Sequence, residues 1–513
     1  MKVVEKLSAI EPFSTGALLA TLFLFIVIWI ALPQEFFASD PWAYSVAAND
    51  ISKHLNFGSI DLFNLRLGII GPVAILYKLF GVNIVTTNLW PFCTTLLLIV
   101  VIWSALRDTQ GKLIALGLSV LSVPVWEATL NLYGDMIAAA FMAASVLLLI
   151  GRERVTSRRL PWIGILGVLA LFVAFLAKES SYWVAPLWLF ALCEDVSSRK
   201  DHMRLKRFWL PGISVSIGLA LSYLVLCWVV WGDPLARLKG VEMLTHEHLW
   251  GWDHATGWEL LKRLTFGPAQ FLSSYYGPLF FLAVMGALMC PRETRYWVYY
   301  LALCTAFYWF GSASLSSYQP LPYVGRMTWP LLPAMLILAA QFVANVEFKG
   351  RSTLERRSPV WLVALMMLFP FVAFANVQTR DPLSDTRAMA FLKREVVAHP
   401  EARYLLVTSD KRSAKSLKFY FGYEYPKNLN VVAAGDTNIQ FRIDEYVYVY
   451  INNYRSSFLA SLYGEKNYPI WDGRLESIKL SRRFQSAPVA LYKVSDASDL
   501  DKLENALDSL SKN

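Results

Sequence analysis

Long uncharged apolar stretches limit the fold of this chain more than any other feature of its sequence. Residues 16–33, for example, read GALLATLFLFIVIWIALP without a charged side chain. A helix needs about 20 apolar residues to cross the hydrocarbon core of a bilayer, and only helices and closed barrels satisfy their backbone groups there. Because the apolar stretches are continuous rather than alternating, the sequence predicts a polytopic α-helical membrane protein.

About eleven transmembrane helices are predicted, at 16–33, 84–105, 113–126, 134–150, 160–177, 181–193, 208–231, 268–290, 296–312, 327–345 and 358–377. Basic loops such as GRERVTSRR and EFKGRSTLERRS separate alternate spans, and the intervening short loops hold few Lys or Arg. Positive charge accumulates in cytoplasmic loops, so this pattern places the N-terminus in the cytoplasm. Much of the net charge of +9 is therefore a topology signal, and it does not indicate nucleic-acid binding.

Residues 379–513 have the composition of a soluble domain, and they follow the last predicted span, which places them outside the cytoplasm. The predicted strands are 403–409, 429–434, 445–451 and 489–494, and the predicted helices are 385–399 and 410–423. We therefore predict a transmembrane catalytic domain at 1–378 and an extracytoplasmic α/β domain at 379–513. The long external loops 34–83 and 232–267 are the places where a site is expected on a helical scaffold.

The second of these loops contains the histidine-rich segment THEHLWGWDHATGW. Its spacing matches no standard zinc pattern. Its tryptophans are typical of a loop at the headgroup layer, or of indoles that pack against sugars. We therefore predict no metal site and keep His248 as a candidate substrate contact. The five cysteines show no C-x-x-C spacing, so neither a disulfide framework nor a thiolate metal site is predicted.

Asp40 lies a few residues after the first predicted span, in the segment FFASDPWAYSVAAND. Asp is a favoured N-cap residue, and Pro41 would occupy the first helical position, where its missing N–H is no loss. Tyr44 would share a helical face with Asp40. Two interpretations remain open at this point: a helix cap at a membrane exit, or a general base at the membrane boundary.

A second acid, Asp135, lies in YGDM at the external entrance of the fourth predicted span. An acid this close to the hydrocarbon is costly and is a candidate functional group, although it could also serve only as a helix cap. Glu127, in the same short external loop, is a weaker candidate.

Basic residues also occur at the external side, in a chain that keeps most of its loop charge inside. Lys178 and Glu179 follow an apolar stretch in FLAKESSYW, and Arg326 lies at the same predicted depth in YVGRMTWP. The pair Lys178–Glu179 is either a snorkelling ion pair or a place where a cation binds a lipid phosphate. Arg66 begins the apolar segment 66–81, which is too short to span and is expected to lie along the interface.

These motifs together resemble the protein O-mannosyltransferase and lipid A aminoarabinose transferase superfamily, which consists of membrane glycosyltransferases of the C-type (GT-C) fold. The resemblance rests on the acid after the first helix in D-x-x-x-Y-x-x-x-A, on YGDM, on FLAKESS and on GRMTWPLLPAMLILAA, in that order between residue 16 and about residue 345. The sequence departs from the pattern at Pro41, where an acid often follows the first Asp, and at Glu179, where Gly is usual.

The resemblance implies an inverting glycosyltransferase (EC 2.4) that takes a monosaccharide from a polyprenyl-phosphate donor. The acceptor would be an extracytoplasmic glycan, lipid or protein hydroxyl. Asp40 would act as general base, and Lys178 and Arg326 would stabilise the leaving phosphate. Asp135 would position the acceptor or the lysine. The remaining substrate-binding candidates are Tyr44, Glu179, Arg66 and His248.

No cofactor is implied, although the other branch of this fold uses a divalent ion, which Asp40 and Asp135 could hold if they lie close together. The implied location is the bacterial inner membrane, with a periplasmic C-terminal domain. A transporter or flippase of lipid-linked glycan intermediates is the alternative, and it predicts charges near mid-span. A receptor or assembly protein with catalytically inert spans is a third interpretation.

Overall fold

The computed structural model describes residues 2–32, 40–197, 202–247, 257–289, 294–312, 314, 316, 318–345, 367–368, 370–375, 384–408, 411–433, 445–452, 481–486 and 489–494. The chain divides into two compact units. The first unit contains residues 1–31, 50–76 and 88–374, and the second contains residues 32–49, 77–87 and 375–513. The predicted boundary at 378/379 ignores the two short segments that precede residue 88, and it stays a prediction.

The helices numbered up to the end of the apolar region are α1 (Lys2–Ala31), α2 (Asp40–His54), α3 (Leu62–Leu65), α4 (Leu67–Phe80), α5 (Ile84–Ala105), α6 (Thr109–Leu121), α7 (Val123–Thr129), α8 (Gly134–Gly151), α9 (Leu160–Ala177), α10 (Ala185–Ser197), α11 (His202–Arg204), α12 (Leu210–Trp231), α13 (Ala236–Glu247), α14 (Trp258–Leu264), α15 (Gly267–Tyr276), α16 (Pro278–Leu288), α17 (Arg295–Phe310) and α18 (Leu332–Asn345). Two 3₁₀ segments, Glu179–Val184 and Gly325–Leu331, precede α10 and α18, and a π-helical segment, Leu205–Trp209, precedes α12.

The protein is an integral membrane protein with six described helices long and apolar enough to cross a bilayer: Phe13–Ala31, Ile84–Ala105, Gly134–Gly151, Leu160–Ala177, Leu205–Trp231 and Gly325–Asn345. Two bent pairs, α6 with α7 and α15 with α16, raise this number to eight if each pair is one span. These eight match eight of the predicted spans.

The predicted count of eleven is not confirmed. Residues 181–193 form part of a 3₁₀ segment followed by the 13-residue helix α10. Residues 296–312 correspond to α17, which has 16 residues and is short for a span. Most of the predicted span 358–377 lies outside the described residues.

Helices α8 and α18 form the centre of the first unit, and most of their residues are buried, whereas most of α12 is exposed. Helices in lipid associate through close packing of small residues, because lipid tails are as apolar as leucine. Helix α8 accordingly presents a run of buried alanines, Ala138–Ala140 and Ala143. A methyl group added at Gly286 of α16 would collide with the backbone of Leu338 in α18.

A buried ion cluster holds the C-terminal end of α8. The guanidinium of Arg152 donates from Nε to Asp195 Oδ2 at 2.8 Å and from Nη2 to the Tyr296 hydroxyl at 2.6 Å. Trp209 Nε1 donates to the same carboxylate oxygen at 2.8 Å. Because these partners belong to α10, α17 and the π-helical segment, the cluster ties the end of α8 to three neighbouring elements.

The second unit contains a five-stranded sheet with the strand order β2-β1-β3-β5-β4. The strands are β1 (Arg403–Thr408), β2 (Leu429–Ala433), β3 (Glu445–Asn452), β4 (Ser481–Ser486) and β5 (Val489–Lys493), accompanied by α19 (Ser384–Ala398) and α20 (Lys411–Leu417). Strands β2, β1 and β3 are parallel to one another, and β5 pairs antiparallel with both of its neighbours, β3 and β4. The structure confirms the predicted α/β class and the four predicted strands, and it adds β4.

Candidate functional site

Lys178 and Asp135 form an ion pair where the end of α9 meets the start of α8. Asp135 lies in the first turn of α8, and Lys178 is the residue that ends α9. The ammonium of Lys178 donates to Asp135 Oδ1, and both side chains are buried. Gly134 permits this approach, because a side chain there would meet Ile69 and the carbonyl of Ala177.

Glu179 lies between two arginines that the long loops supply. Arg66 Nη2 donates to Glu179 Oε2 at 2.7 Å, and Arg237 Nη2 donates to Oε1 at 2.9 Å. Burial alone would raise the pKa of this carboxyl, but the two guanidinium groups outweigh it and lower the pKa to about 2. Lys178 and Glu179 therefore have different partners, and the interpretation of the two as a snorkelling ion pair is wrong.

An apolar contact sets the positions of both arginines. Leu65 packs with Tyr223, Cys227 and Ala236 in one buried cluster. Arg66 and Arg237 each follow a member of this cluster in sequence, so the cluster places both at Glu179. The Arg237 guanidinium also lies 4.3 Å from the centre of the Phe175 ring. Its Nε and Nη1 atoms are buried and make no hydrogen bond to any described residue.

The ionic cluster of the first unit carries an excess of positive charge. Arg326 lies 4.9 Å over the Tyr133 ring. Burial lowers the pKa of Lys178; Asp135 opposes this effect, whereas Arg66 and Arg326 add to it. Counted in their usual ionised forms, the cluster's four basic and two acidic side chains have a formal net charge of +2; the six residues are Arg66, Lys178, Arg237, Arg326, Asp135 and Glu179.

A third carboxylate, that of Glu127, lies beside a set of aromatic rings next to this cluster. Glu127 Oε2 accepts a hydrogen bond of 2.6 Å from the Tyr275 hydroxyl, which in turn accepts one of 3.1 Å from Trp329 Nε1. The Trp329 ring meets the Tyr133 ring edge-on, with a centroid separation of 5.9 Å. Tyr133 is also the ring beneath Arg326, so the aromatic surface joins Glu127 to the cationic cluster.

Asp40 and Tyr44 belong to the second unit. Asp40 is the first residue of α2, and its side chain is partly buried. Tyr44, one turn further along, is almost completely buried. A helix begins here as predicted, but its first residue is Asp40 and not Pro41. The role of Asp40 as general base stays a prediction. His248 lies outside the described residues.

No protein-family model and no curated relative matches this chain. Its structure is similar to ArnT from Cupriavidus metallidurans, over 94% of this chain and 99% of ArnT, with TM-scores of 0.56 in the apo state and 0.57 bound to undecaprenyl phosphate. The sequence identities to these two structures are 13% and 14%. The oligosaccharyltransferase of Archaeoglobus fulgidus matches with a TM-score of 0.52 and 11% identity, over 94% of this chain and 74% of that one. The chain has the GT-C fold.

Five of the six residues of the ionic cluster were predicted as site residues from the sequence, and Arg237 was not. The segment DPLARLKG contains Arg237 and Lys239, and nothing local separates their roles. In the structure Arg237 is buried against Glu179, whereas Lys239 is mostly exposed and pairs with Asp233. Tyr275 and Trp329 were also missed, because aromatic residues in apolar helices normally indicate packing.

Among the described residues, no three or more His, Cys, Asp or Glu side chains lie close enough together to hold a metal ion. This count does not include the histidine-rich segment from His248 onward, which is not described. Independence from metal therefore stays a prediction, as does the idea that Asp40 and Asp135 share an ion.

Proposed function

We propose that this GT-C protein is a glycosyltransferase that moves a monosaccharide from a polyprenyl-phosphate donor to an extracytoplasmic hydroxyl of a glycan, lipid or protein. The observation that carries the proposal is the cluster around Glu179 and Lys178, with its formal net charge of +2 and the buried, unused donors of Arg237. The likeness to ArnT bound to undecaprenyl phosphate supports a polyprenyl lipid as the partner.

The donor phosphate would bind at the cationic cluster. A phosphate that leaves the sugar gains negative charge, and preorganised cations stabilise that charge most strongly where water is excluded. Arginine suits this task because its planar guanidinium donates two parallel hydrogen bonds to phosphate. Asp135 would hold the ammonium of Lys178 in place, and Glu179 would hold Arg66 and Arg237. We therefore assign both carboxylates as positioning groups.

Asp40 would supply the base. The acceptor oxygen attacks the anomeric carbon while the bond from that carbon to the phosphate oxygen breaks, and the proton of the acceptor hydroxyl moves to the Asp40 carboxylate. One displacement of this kind inverts the anomeric configuration. The positive end of the helix dipole favours a negatively charged group at the N-terminus of α2. General-base assistance contributes roughly 10²–10⁴ in rate.

The decisive test is the variant Asp40→Asn in a purified transfer assay with a synthetic polyprenyl-phosphate sugar. Asn begins a helix about as well as Asp, so the fold is expected to survive while kcat falls by roughly two orders of magnitude or more. Asp50→Asn on the same helix is the matched control, with near wild-type kcat expected. Near wild-type turnover of Asp40→Asn would refute the general-base assignment.

A transporter or flippase of lipid-linked intermediates is the alternative function. Such a protein would place its charged groups near the middle of the membrane, whereas Lys178 and Asp135 lie at helix ends. A radiolabelled donor distinguishes the two, because transport moves the label without breaking the sugar–phosphate bond. We propose the bacterial inner membrane as the location, with the C-terminal domain in the periplasm.

A further inference from the structure

Tyr423 has a backbone conformation that is unusual for a residue with a side chain. Its φ is +69°, in the left-handed region, and it follows Gly422, whose φ is +72°. L-residues other than glycine are disfavoured there. They persist where the surrounding structure imposes the conformation, and they concentrate at functional positions.

The strained turn aims the Tyr423 hydroxyl at helix α2. The backbone N–H of Tyr423 donates to the carbonyl of Lys418 at 2.9 Å, and its ring meets the Phe419 ring edge-on at 6.0 Å. Its hydroxyl donates to Ser45 Oγ at 2.6 Å, across 378 positions of sequence. Both residues belong to the second unit, so this contact joins the α/β part of that unit to its α2 segment.

The contact continues through a chain of hydroxyl groups. Ser45 Oγ also shares a short hydrogen bond with the Tyr77 hydroxyl, which bonds to Thr87 Oγ1 at 2.7 Å. Ser45, Tyr77 and Thr87 are all buried. A buried hydroxyl must keep its partners, because an unsatisfied one is destabilising. This series of hydrogen-bonded hydroxyl groups therefore holds one face of α2 from two sides, the turn at Tyr423 and the segment from Tyr77 to Thr87.

Asp40 lies on the same helix, five residues before Ser45. At 1.5 Å per residue the two are about 7.5 Å apart along the helix axis. The first turn of a helix has no hydrogen bonds from its own leading N–H groups, so contacts in the second turn determine where the first residue lies. Ser45 is in that second turn.

We propose that Tyr423 is a positioning residue for the transfer reaction: through Ser45, the α/β part of the chain fixes α2 and thereby the Asp40 carboxylate. This inference rests on the proposed function, because it assigns Tyr423 a purpose only if Asp40 accepts the proton. It gives the C-terminal α/β region a role in the reaction, beyond that of a separately folded appendage.

Tyr423→Phe tests the proposal, because it removes the hydroxyl and keeps the ring. The matched control is Tyr425→Phe, since the Tyr425 hydroxyl also makes a bond of 2.6 Å, to the carbonyl of Ala414 within the α/β part. We expect kcat of Tyr423→Phe to fall roughly three- to tenfold, the equivalent of one neutral hydrogen bond, with the donor KM unchanged. Tyr425→Phe is expected to lower the thermal midpoint similarly and leave kcat unchanged.

A double-mutant cycle with Ser45→Ala makes the test specific to the contact. If Tyr423 acts through Ser45, the double variant loses no more kcat than Ser45→Ala alone, which also removes the bond to Tyr77. Losses that multiply, or equal losses in Tyr423→Phe and Tyr425→Phe, would overturn the proposal.

Amide hydrogen exchange of the full-length protein, measured without substrate, separates this inference from the proposed function. Exchange in α2 is expected to speed up in Tyr423→Phe and to stay unchanged in Tyr425→Phe. Unchanged exchange in Tyr423→Phe refutes the contact even if Asp40 is essential. Full activity of Asp40→Asn refutes the proposed base, and with it the purpose assigned to Tyr423, even if α2 loosens.

Discussion

The ion pairs of Glu179 should make this protein sensitive to acid in a way that one substitution reveals. The pKa of Glu179 is lowered from 4.5 to about 2, and its side chain is only 21% exposed, so solvent screening is limited. One pKa unit corresponds to about 1.4 kcal/mol. The shift of about 2.5 units thus represents about 3 kcal/mol of stability from the ionised form.

Because the pKa of Glu179 is lower in the folded state, the free energy of unfolding should fall as the pH falls. The unfolded state binds the proton more readily than the folded state, so the stabilisation is fully present above the unfolded pKa near 4.5. It decreases as the pH falls toward the folded pKa near 2. At pH 3 the stabilisation by the ionised Glu179 carboxylate should be smaller by about 2 kcal/mol than at pH 7. The substitution Glu179→Gln removes the charge at every pH, so the stability difference between wild type and variant should narrow over the same window.

The assay is the thermal midpoint of both proteins in detergent at pH 7, 5, 4 and 3. We expect Glu179→Gln to unfold at a clearly lower temperature at pH 7 and to approach the wild type by pH 3. Glu401→Gln, at an exposed position, is the control and should have the wild-type midpoint throughout. Equal midpoints at pH 7, or a difference that does not change with pH, would show that the two arginines do not stabilise the Glu179 carboxylate as inferred.

Three further predictions concern the donor site and the dependence on metal. Lys178→Met combined with Asp135→Asn avoids leaving a buried charge unpaired, so the protein is expected to stay folded. The double variant should lower kcat/KM for the donor roughly tenfold or more, because a charge-assisted hydrogen bond contributes about 1.5–3 kcal/mol. An unchanged kcat/KM would leave Lys178 with a structural role only. Arg237→Ala should weaken the binding of polyprenyl phosphate more than Arg237→Lys does, measured as a larger dissociation constant in isothermal titration, whereas Lys239→Ala nearby should have no effect. Transfer should continue in chelator and drop only modestly in the double variant His246→Ala with His248→Ala; a complete loss that magnesium or manganese restores would make Asp40 a metal ligand.

Most residues of the site could be predicted from the sequence, but few of the contacts between them could. The positions of Asp135 and Lys178 at helix ends follow from the apolar pattern, because hydropathy marks where each span ends. Their pairing depends on how α8 and α9 pack, and hydropathy does not contain that information. Arg237 and Lys239 show the same limit within one segment: they differ in burial only because Leu65 and Ala236 meet there.

The second unit shows a similar division. Strands β1, β2, β3 and β5 are rich in β-branched and aromatic residues, which made them predictable from local sequence. Strand β4 reads SRRFQS and has no apolar run, so only its pairing with β5 defines it as a strand. The contact between Tyr423 and Ser45 spans 378 positions, and its sequence signal is no more than a tyrosine after a glycine.

Helix α8 is held at both ends, by Asp135 with Lys178 at its start and by Arg152 with Asp195 at its end. Arg152 follows Asp135 by 17 positions, which corresponds to about 26 Å along the axis at 1.5 Å per residue. Because α8 lies in the interior of the first unit, these attachments fix the distance between two layers of buried charged groups. We therefore expect the hydrocarbon thickness of the host bilayer to matter. A membrane whose core is much thicker than about 26 Å would draw one of the two charged layers into the hydrocarbon, and the surrounding lipid would have to thin to avoid this mismatch. Reconstitution in phosphatidylcholines of increasing acyl length would reveal this as an optimum at the shorter chains.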